Sequence, residues 1–253
     1  MKEWKLKKVI QILTACLAMI VVLNVSGISM KTIDINKKEL KTNRRDSNLQ
    51  IESETREIIS RILNEQIQTE LPQIAITFDD GPSVCTPALL DGLKERNVKA
   101  TFFLVGENVE TYPDIVKRIY EEGHLIGNHT YHHVEITKLS DEEAMYEINK
   151  TDELIAAITG QRVQYIRPPF GVWQRELENY LDVLPVMWTV DPLDWTTENI
   201  DEVVNKVVSQ AKENDIILLH DCYKSSVEAA LRIVDLLKAE GFEFVTVDKL
   251  ILE

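Results

Sequence analysis

Cysteine, basic residues and sequence repeats are all scarce in this chain. Its 253 residues include only three cysteines, Cys16, Cys85 and Cys222. An oxidising compartment would permit Cys85 and Cys222 to pair, but spacing alone cannot show the geometry of a disulfide, and we favour two free thiols. No repeat period is visible, and no low-complexity run is long enough to indicate a chain that is disordered throughout.

The shortage of basic residues is greatest after residue 70. The whole chain carries 28 Lys and Arg against 42 Asp and Glu, a formal net charge of −14. Residues 71–253 carry 33 acidic and 16 basic side chains, a net charge of −17, whereas residues 1–70 have a net charge of +3. Because binding to a phosphate backbone needs a basic face, this composition argues against a nucleic-acid-binding domain. Neutral or cationic partners are favoured.

The remaining composition is ordinary for a globular protein. Hydrophobic residues make up 44% of the chain and charged residues 28%. A chain of this length can bury a sizeable core, and it could form one large or two small domains.

Residues 1–30 are predicted to be a targeting or anchoring segment. The basic residues Lys2, Lys5, Lys7 and Lys8 precede an almost entirely apolar run over residues 9–28. This run is about long enough to cross a bilayer, and the lysines predict a cytoplasmic N-terminus.

Three interpretations of this segment remain open. A signal anchor fits its length best. A cleaved signal peptide is an alternative, although the sequence lacks a clean cleavage site. A lipoprotein signal at Leu13-Thr14-Ala15-Cys16 is disfavoured, because the apolar sequence continues after the cysteine. All three place the rest of the protein outside the cytoplasm, either anchored to the membrane or secreted.

Residues 31–70 are predicted to be a polar stalk. Residues 31–50 are charged and show no periodicity, whereas residues 51–67 carry a weak helical stripe of isoleucine and leucine. A short amphipathic helix that ends before Pro72 is therefore expected. The main folded domain is predicted to occupy residues 71–253.

Strand and helix signals alternate from residue 71 onward. The predicted strands are Ile74–Phe78, Ala100–Val105, His124–Gly127, Val163–Ile166, Pro185–Val190, Ile216–Leu219 and Phe242–Val247. The predicted helices are Thr86–Arg96, Tyr112–Glu122, Ser140–Ile158, Trp173–Leu181, Ile200–Glu213 and Ser226–Glu240. This alternation predicts an α/β fold with a parallel sheet covered by helices. Seven units over about 180 residues favour a closed or nearly closed (β/α)7 barrel over two domains.

Side chains capable of chemistry follow several of these strands directly. They are Asp79, Asp80, His129, His133, Arg167, Asp191, Asp194, His220 and Asp221. In a parallel α/β barrel the carboxyl ends of the strands share one face, and active sites form there. The sequence therefore predicts a single active site at that face.

The first two motifs suggest a metal centre. Asp79 and Asp80 end the first predicted strand, where neighbouring side chains point to different sides, so that one can bind a metal while the other stays free as a base. His129 and His133 lie four residues apart, a spacing that would place both imidazoles on one side of a helical turn. Taken alone, the two aspartates would be read as an Asp-rich turn, and the histidine pair, for which a polar loop is the alternative, is a moderately specific signal.

Three further segments are weak signals individually. The segment Arg167-Pro168-Pro169-Phe170-Gly171 is a stiff turn whose guanidinium can pair with a carboxylate. The segment Asp191-Pro192-Leu193-Asp194-Trp195 combines acids with an aromatic residue. The segment Leu218-Leu219-His220-Asp221 ends a buried strand with a histidine. His124 begins a strand instead of ending one, and we expect a structural role for it.

In this order, the segments TFDDG, HTYHH, RPPFG, DPLDW and LLHD resemble the five motifs of the polysaccharide deacetylases with the NodB homology domain, carbohydrate esterase family 4. The resemblance covers about residues 71–250. It implies a deformed (β/α)7 barrel of the TIM type and metal-dependent removal of N-acetyl groups from glycans that contain N-acetylglucosamine.

The resemblance also implies roles for the residues in the first three motifs. Asp79 would be the catalytic base, paired with and oriented by Arg167. Asp80, His129 and His133 would bind one divalent metal ion, with zinc favoured over cobalt, nickel or manganese.

The same resemblance assigns roles near the other motifs. His220 would be the general acid, supported by Asp191. Trp195 and Leu218 would line the acetyl pocket, and the backbone N–H of Phe170 would point toward the oxyanion. Phe170 stands where many family members have tyrosine, which removes only a hydroxyl contact.

We therefore expect an extracytoplasmic, membrane-anchored and metal-dependent glycan N-deacetylase with a monomeric catalytic domain. The anchor and stalk favour peptidoglycan as the substrate. A chitooligosaccharide or another poly-N-acetylglucosamine is the nearest alternative, and a xylan O-acetyl esterase is less favoured.

Two alternatives belong to other functional classes. A glycan-binding or sporulation-type structural protein could retain the fold without turnover, but the joint presence of Asp79, both histidine ligands and His220 argues against it. An amidohydrolase for small non-sugar amides would have no use for a stalk.

Overall fold

The strands form one parallel sheet, as the sequence predicts. The structure, a computed structural model, describes residues 71–251. Its strands are β1 (Gln73–Gly81), β2 (Thr101–Leu104), β3 (Leu125–Asn128), β4 (Tyr165–Ile166), β5 (Leu184–Pro185), β6 (Ile216–His220) and β7 (Glu243–Phe244). The strand order is β5-β4-β3-β2-β1-β6, and β7 pairs with the beginning of β1. Each of these pairs is parallel, which confirms the α/β prediction.

The predicted membrane segment, residues 1–30, and the predicted stalk, residues 31–70, lie outside the described residues. Within residues 71–251, no helix combines the length and the apolar character needed to cross a bilayer.

Helices follow most of the strands. They are α1 (Thr86–Glu95), α2 (Gly106–Thr111), α3 (Pro113–Glu121), α4 (Asp141–Thr159), α5 (Ile200–Val208), α6 (Lys224–Ala239) and α7 (Val247–Ile251). Helix α4 begins at the predicted capping box, in which Ser140 Oγ accepts from the Glu143 N–H and the Glu143 carboxylate accepts from the Ser140 N–H. It ends at Gly160, whose φ of +75° is the left-handed conformation that closes many helices.

Three predicted strands are shorter in the structure, where β4, β5 and β7 have two residues each, and two helical segments also differ from the prediction. The helix expected over Trp173–Leu181 is only a 3₁₀ segment, Arg175–Asn179, with Leu177 as its single buried residue. Helix α2 was not predicted, because within it only Gly106 and Val109 are buried and the segment has no apolar periodicity.

Successive side chains of β1 point to opposite faces of the sheet. One face packs against the helices, and the other is the inner side. Ile74, Ile76 and Phe78 are fully buried in the main hydrophobic cluster, which includes buried side chains of α1 and α6. Ala75 belongs to a different cluster. Since Cβ atoms alternate along a strand, Asp79 emerges on the same side as Ala75. The strand therefore delivers this carboxylate to the inner side of the sheet.

The two ends of the sheet path also meet. Val190, after β5, forms a parallel bridge with Ile217 of β6. The Leu218 N–H donates to the Val190 carbonyl oxygen at 2.9 Å, and the Thr189 N–H donates to the Ile216 carbonyl oxygen at 2.9 Å. This segment therefore brings residues 190–195 beside the end of β6.

Candidate active site

Nearly all of the predicted site residues line one open cavity of about 350 Å³. The lining includes Asp79, Asp80, His129, His133, Phe170, Asp191, Trp195, Leu218 and His220. The remaining predicted residue, Arg167, is fully buried. The structure thus brings these side chains together at the carboxyl ends of β1, β3 and β6, the end at which parallel α/β folds place their sites.

Asp80, His129 and His133 converge on one point. Asp80 Oδ1 lies 3.4 Å from His129 Nε2 and 3.2 Å from His133 Nε2. This oxygen is buried and has no hydrogen-bond partner among the described residues. Such an oxygen is costly to bury, whereas a divalent ion bound by one carboxylate and two imidazoles would satisfy it. The three residues therefore fit a divalent metal ion.

The protonation of these ligands also suits a metal. His129 Nδ1 lies 2.5 Å from the Arg167 carbonyl oxygen, and because a carbonyl only accepts, Nδ1 carries a proton, which leaves Nε2, the atom that faces Asp80, as the ring nitrogen available to a metal. Burial lowers the pKa of His133 and so favours its neutral form. Burial raises the pKa of Asp80, but the surrounding imidazoles lower it below its ordinary value.

The two histidines meet in a loop, and the predicted helical turn is wrong. Thr130 and His133 have φ angles of +61° and +54°, which lie in the left-handed region that a right-handed helix excludes. In this loop the ring centroids of His129 and His133 are 4.9 Å apart. Left-handed residues, and not helical spacing, bring the two imidazoles to the same point.

Asp79 is held by the buried guanidinium of Arg167. Arg167 Nη1 donates to Asp79 Oδ1 at 2.9 Å and to Thr77 Oγ1 at 2.6 Å. The other two guanidinium nitrogens donate to backbone carbonyl oxygens in the segment after β5, both at 3.1 Å. Asp79 Oδ1 is thereby fixed, while Oδ2 lies 3.8 Å from His129 Nε2. One oxygen thus remains beside the predicted metal site.

His220 is supported by Asp194, and the predicted support by Asp191 is wrong. Asp194 Oδ1 accepts from His220 Nδ1 at 2.8 Å, and Asp194 Oδ2 accepts from the His220 backbone N–H at 2.9 Å. Asp191 instead accepts from the Leu193 N–H at 2.8 Å. Leu193 has a φ of +59°, and this left-handed residue turns the chain so that Asp194 meets the histidine.

This contact determines the charge of His220. Burial lowers the pKa of the imidazole, but the hydrogen bond to Asp194 and the charges of Asp194, Asp80 and Asp79 raise it to about 9. His220 is therefore protonated at neutral pH. Because Asp194 holds Nδ1, the proton on Nε2 is the one that the cavity can use.

Aromatic side chains form part of the cavity wall. Phe170, with a φ of +62°, packs its ring edge against His133 at a centroid distance of 5.1 Å. Phe170 and Trp195 are 64% and 56% exposed, whereas Leu218 is buried. Tyr223 also lines the cavity. Tyr223 was not predicted as a site residue, and its position three residues after His220 was the only signal for it in the sequence.

Hydrogen bonds join the segment after β1 to the loop after β6, next to this site. Ser83 Oγ donates to the Asp221 carbonyl oxygen at 2.8 Å, and Thr86 Oγ1 donates to Asp221 Oδ2 at 2.5 Å. Burial raises the pKa of Asp221 to about 7. Cys85 and Cys222 lie in the same two loops as free thiols, as favoured from the sequence, with Cys85 Sγ 3.7 Å from the Cys222 carbonyl oxygen.

Comparisons with known proteins agree with this geometry. A family model described as polysaccharide deacetylase matches residues 66–187. A peptidoglycan-N-acetylglucosamine deacetylase of Bacillus cereus is 43% identical over 185 residues, which cover 69% of this chain and 66% of that protein. The chain thus spans slightly less than two thirds of the length of this curated relative.

For two further relatives, the match extends over most of the other protein's length. A chitooligosaccharide deacetylase of Azorhizobium caulinodans is 36% identical over 188 residues, which cover 67% of this chain and 90% of that protein. The solved structure of peptidoglycan deacetylase PdaC from Bacillus subtilis matches with a TM-score of 0.70 and 40% identity, covering 72% of this chain and 90% of that chain.

Proposed function

The chain belongs to the polysaccharide deacetylase family, and from this premise we propose that it is a metal-dependent hydrolase that removes N-acetyl groups from N-acetylglucosamine units of peptidoglycan and releases acetate. One observation carries the proposal. The cluster of Asp80, His129 and His133 shares a single open cavity with the carboxylate of Asp79 and the protonated imidazole of His220. A metal site, a base and an acid are the groups that hydrolysis of an unstrained amide needs.

Asp80, His129 and His133 would hold the metal ion, with zinc favoured by the donor set of two imidazoles and one carboxylate. When bound, the ion would lower the pKa of water and polarise the acetyl carbonyl. Asp79 would take the proton of the attacking water at Oδ2, because Oδ1 is engaged by Arg167. The fixed guanidinium keeps the base in one orientation through the reaction.

His220 would supply the second proton transfer. Its Nε2 would donate to the nitrogen of the departing amino sugar, and Asp194 would stabilise the imidazolium until then. The exposed ring of Trp195 and the buried side chain of Leu218 would enclose the acetyl group between them. The products are acetate and a glycan that carries a free amine.

The substrate and the location of the enzyme are part of the proposal. The basic and apolar N-terminal sequence supports a domain held outside the cytoplasm, where peptidoglycan is accessible. The name of the Bacillus cereus relative supports the same polymer, whereas the name of the Azorhizobium caulinodans relative supports a chitooligosaccharide. The bridge between Val190 and Ile217 supports a deformed (β/α)7 barrel as the finer description of the fold.

Acetate release tests the proposal. The full-length chain would be stripped of metal with a chelator and incubated with peptidoglycan or with acetylated chitooligomers, before and after addition of Zn²⁺, Co²⁺ or Mn²⁺. We expect metal-dependent release from peptidoglycan, lowered by roughly 10²- to 10⁴-fold in the Asp79→Asn variant. Release from chitooligomers alone would change the substrate. No release from either polymer by metal-loaded protein would reject the deacetylase.

A further inference from the structure

One carboxylate from α4 holds the loop that carries both predicted histidine ligands. Glu147 Oε2 accepts from the backbone N–H of Tyr131 at 3.0 Å and from that of His132 at 2.8 Å. Glu147 Oε1 accepts from His132 Nδ1 at 2.7 Å. The residue is only 7% exposed, so that water competes little for these three hydrogen bonds.

This loop needs such a restraint. Thr130 and His133 flank the two residues that Glu147 binds, and both have left-handed φ angles. A left-handed conformation costs roughly 1–2 kcal/mol for a residue with a side chain, so that the free loop would favour other conformations. Asn128 adds a second tie, since its Oδ1 accepts from the Thr130 N–H and its Nδ2 donates to a backbone carbonyl of α4, both at 2.8 Å.

Glu147 stands apart from the reacting groups. The cavity lining includes neither Glu147 nor His132, and Glu147 lies in none of the five motifs. Any effect that it has on the reaction must therefore pass through the conformation of residues 129–133. The three hydrogen bonds of Glu147 are all made to Tyr131 and His132, and none is made to His129 or His133.

We propose that Glu147 is a positioning residue that presets the metal site: its carboxylate holds residues 129–133 so that His129 and His133 face Asp80 before an ion binds. The inference rests on the proposed function, since it takes these three residues as the metal ligands. A ligand that binds a preformed site avoids the cost of ordering it. Loss of the restraint therefore weakens metal binding.

The variants differ in how many bonds they remove. Glu147→Ala removes all three. Glu147→Gln can keep both backbone hydrogen bonds through its carbonyl oxygen, and its NH₂ group then faces His132 Nδ1, which must change from donor to acceptor to keep the third. His132→Ala removes only the side-chain bond. We expect roughly 10- to 100-fold weaker metal binding for Glu147→Ala, the range known for groups that orient metal ligands, and smaller losses for the other two.

Cobalt binding measures this effect without turnover. The full-length chain, stripped of metal, would be titrated with Co²⁺ and followed by its visible absorption, which reports the geometry of the ligands. Thermal unfolding of the metal-free variants would check that each is folded. Glu153→Gln is the matched control, because Glu153 lies on the exposed side of α4 and makes no hydrogen bond or ion pair within residues 71–251. It should bind Co²⁺ like the wild type.

The outcomes separate the two proposals. Equal Co²⁺ affinity and an equal spectrum in wild type and folded Glu147→Ala would overturn the role of Glu147 and leave the deacetylase intact. A wild type that binds none of Co²⁺, Zn²⁺ and Mn²⁺ would overturn both. If Glu147→Ala does not fold, Glu147→Leu decides, because it has a similar size but no acceptor, and Co²⁺ binding equal to that of the wild type rejects the inference. At saturating metal, we expect kcat of Glu147→Gln to recover toward the wild-type value, which a general structural defect would not allow.

Discussion

Asp194 binds His220 at two points, through the imidazole Nδ1 at 2.8 Å and through the backbone N–H at 2.9 Å. Asp194 is 1% exposed, so that its charge is little screened by water and acts strongly on the imidazole. One carboxylate thus fixes both the orientation of the ring and its protonation.

Asp194→Asn should lower kcat by at least about tenfold, because the imidazolium loses the charge that stabilises it while proton donation itself contributes roughly 10²- to 10⁴-fold. The measurement is acetate release at saturating metal. Asp191→Asn is the matched comparison, since Asp191 contacts the backbone of Leu193 and not His220. A larger loss in Asp191→Asn than in Asp194→Asn would reverse the assignment.

The pH dependence of kcat should reflect the pKa of His220, which Asp194 raises. The pKa of His220 is raised to about 9, so that the proton needed for donation is present below pH 9 and is lost as the pH rises through it. We expect kcat of the wild type to fall on this alkaline side. In Asp194→Asn the fall should begin at lower pH, because the carboxylate that raises the pKa is gone. Superimposable profiles for the two proteins would show that Asp194 does not set this pKa.

Much of the framework was predictable because it follows from local patterns. The apolar run at Ile74–Phe78 and the capping box at Ser140 each specify an element through side chains close in sequence. The strand-end positions of Asp79, Asp80 and His220 follow once the sheet is parallel, since all carboxyl ends then lie together.

The errors arose where backbone conformation departed from regular structure. The His129 and His133 pair was assigned to a helical turn, but left-handed residues form a loop there. The resemblance assigned the support of His220 to Asp191, but Asp191 and Asp194 follow the same strand, and the left-handed Leu193 decides which of them reaches His220. Residues other than glycine in this conformation are held by tertiary contacts, which a sequence pattern does not contain.

Substitutions of Asp79 and His129 should affect turnover and metal binding differently. Asp79→Asn should lower acetate release by roughly 10²- to 10⁴-fold yet retain the metal, because Asp79 is not among the three convergent ligands. His129→Ala should lose both. The measurements are acetate release and metal content after dialysis. Most of the wild-type activity surviving in Asp79→Asn would mean that another group serves as the base.

His124 should make the folded domain sensitive to acid. It is 5% exposed and accepts from the Ala100 N–H at 3.1 Å through Nδ1, while its Nε2 is buried without a hydrogen-bond partner in the part of the chain that the structure describes. Burial, with the charge of Lys99, lowers its pKa to about 4. The neutral form is thus the one that the fold accommodates.

Between pH 6.5 and 4 the unfolded chain binds more protons at His124 than the folded chain does. The contribution of neutral His124 to the free energy of unfolding is therefore fully present above pH 6.5 and is lost as the pH falls toward 4. The shift corresponds to a free energy of unfolding on the order of 3 kcal/mol. His124→Asn keeps an acceptor for Ala100 but does not titrate, and we expect its stability to fall less over this range, even though it starts lower at neutral pH. Urea unfolding at pH 7 and pH 4 measures how much stability each of the two proteins loses over this range. Equal losses in the two proteins would show that His124 titrates with the same pKa in the folded and unfolded states.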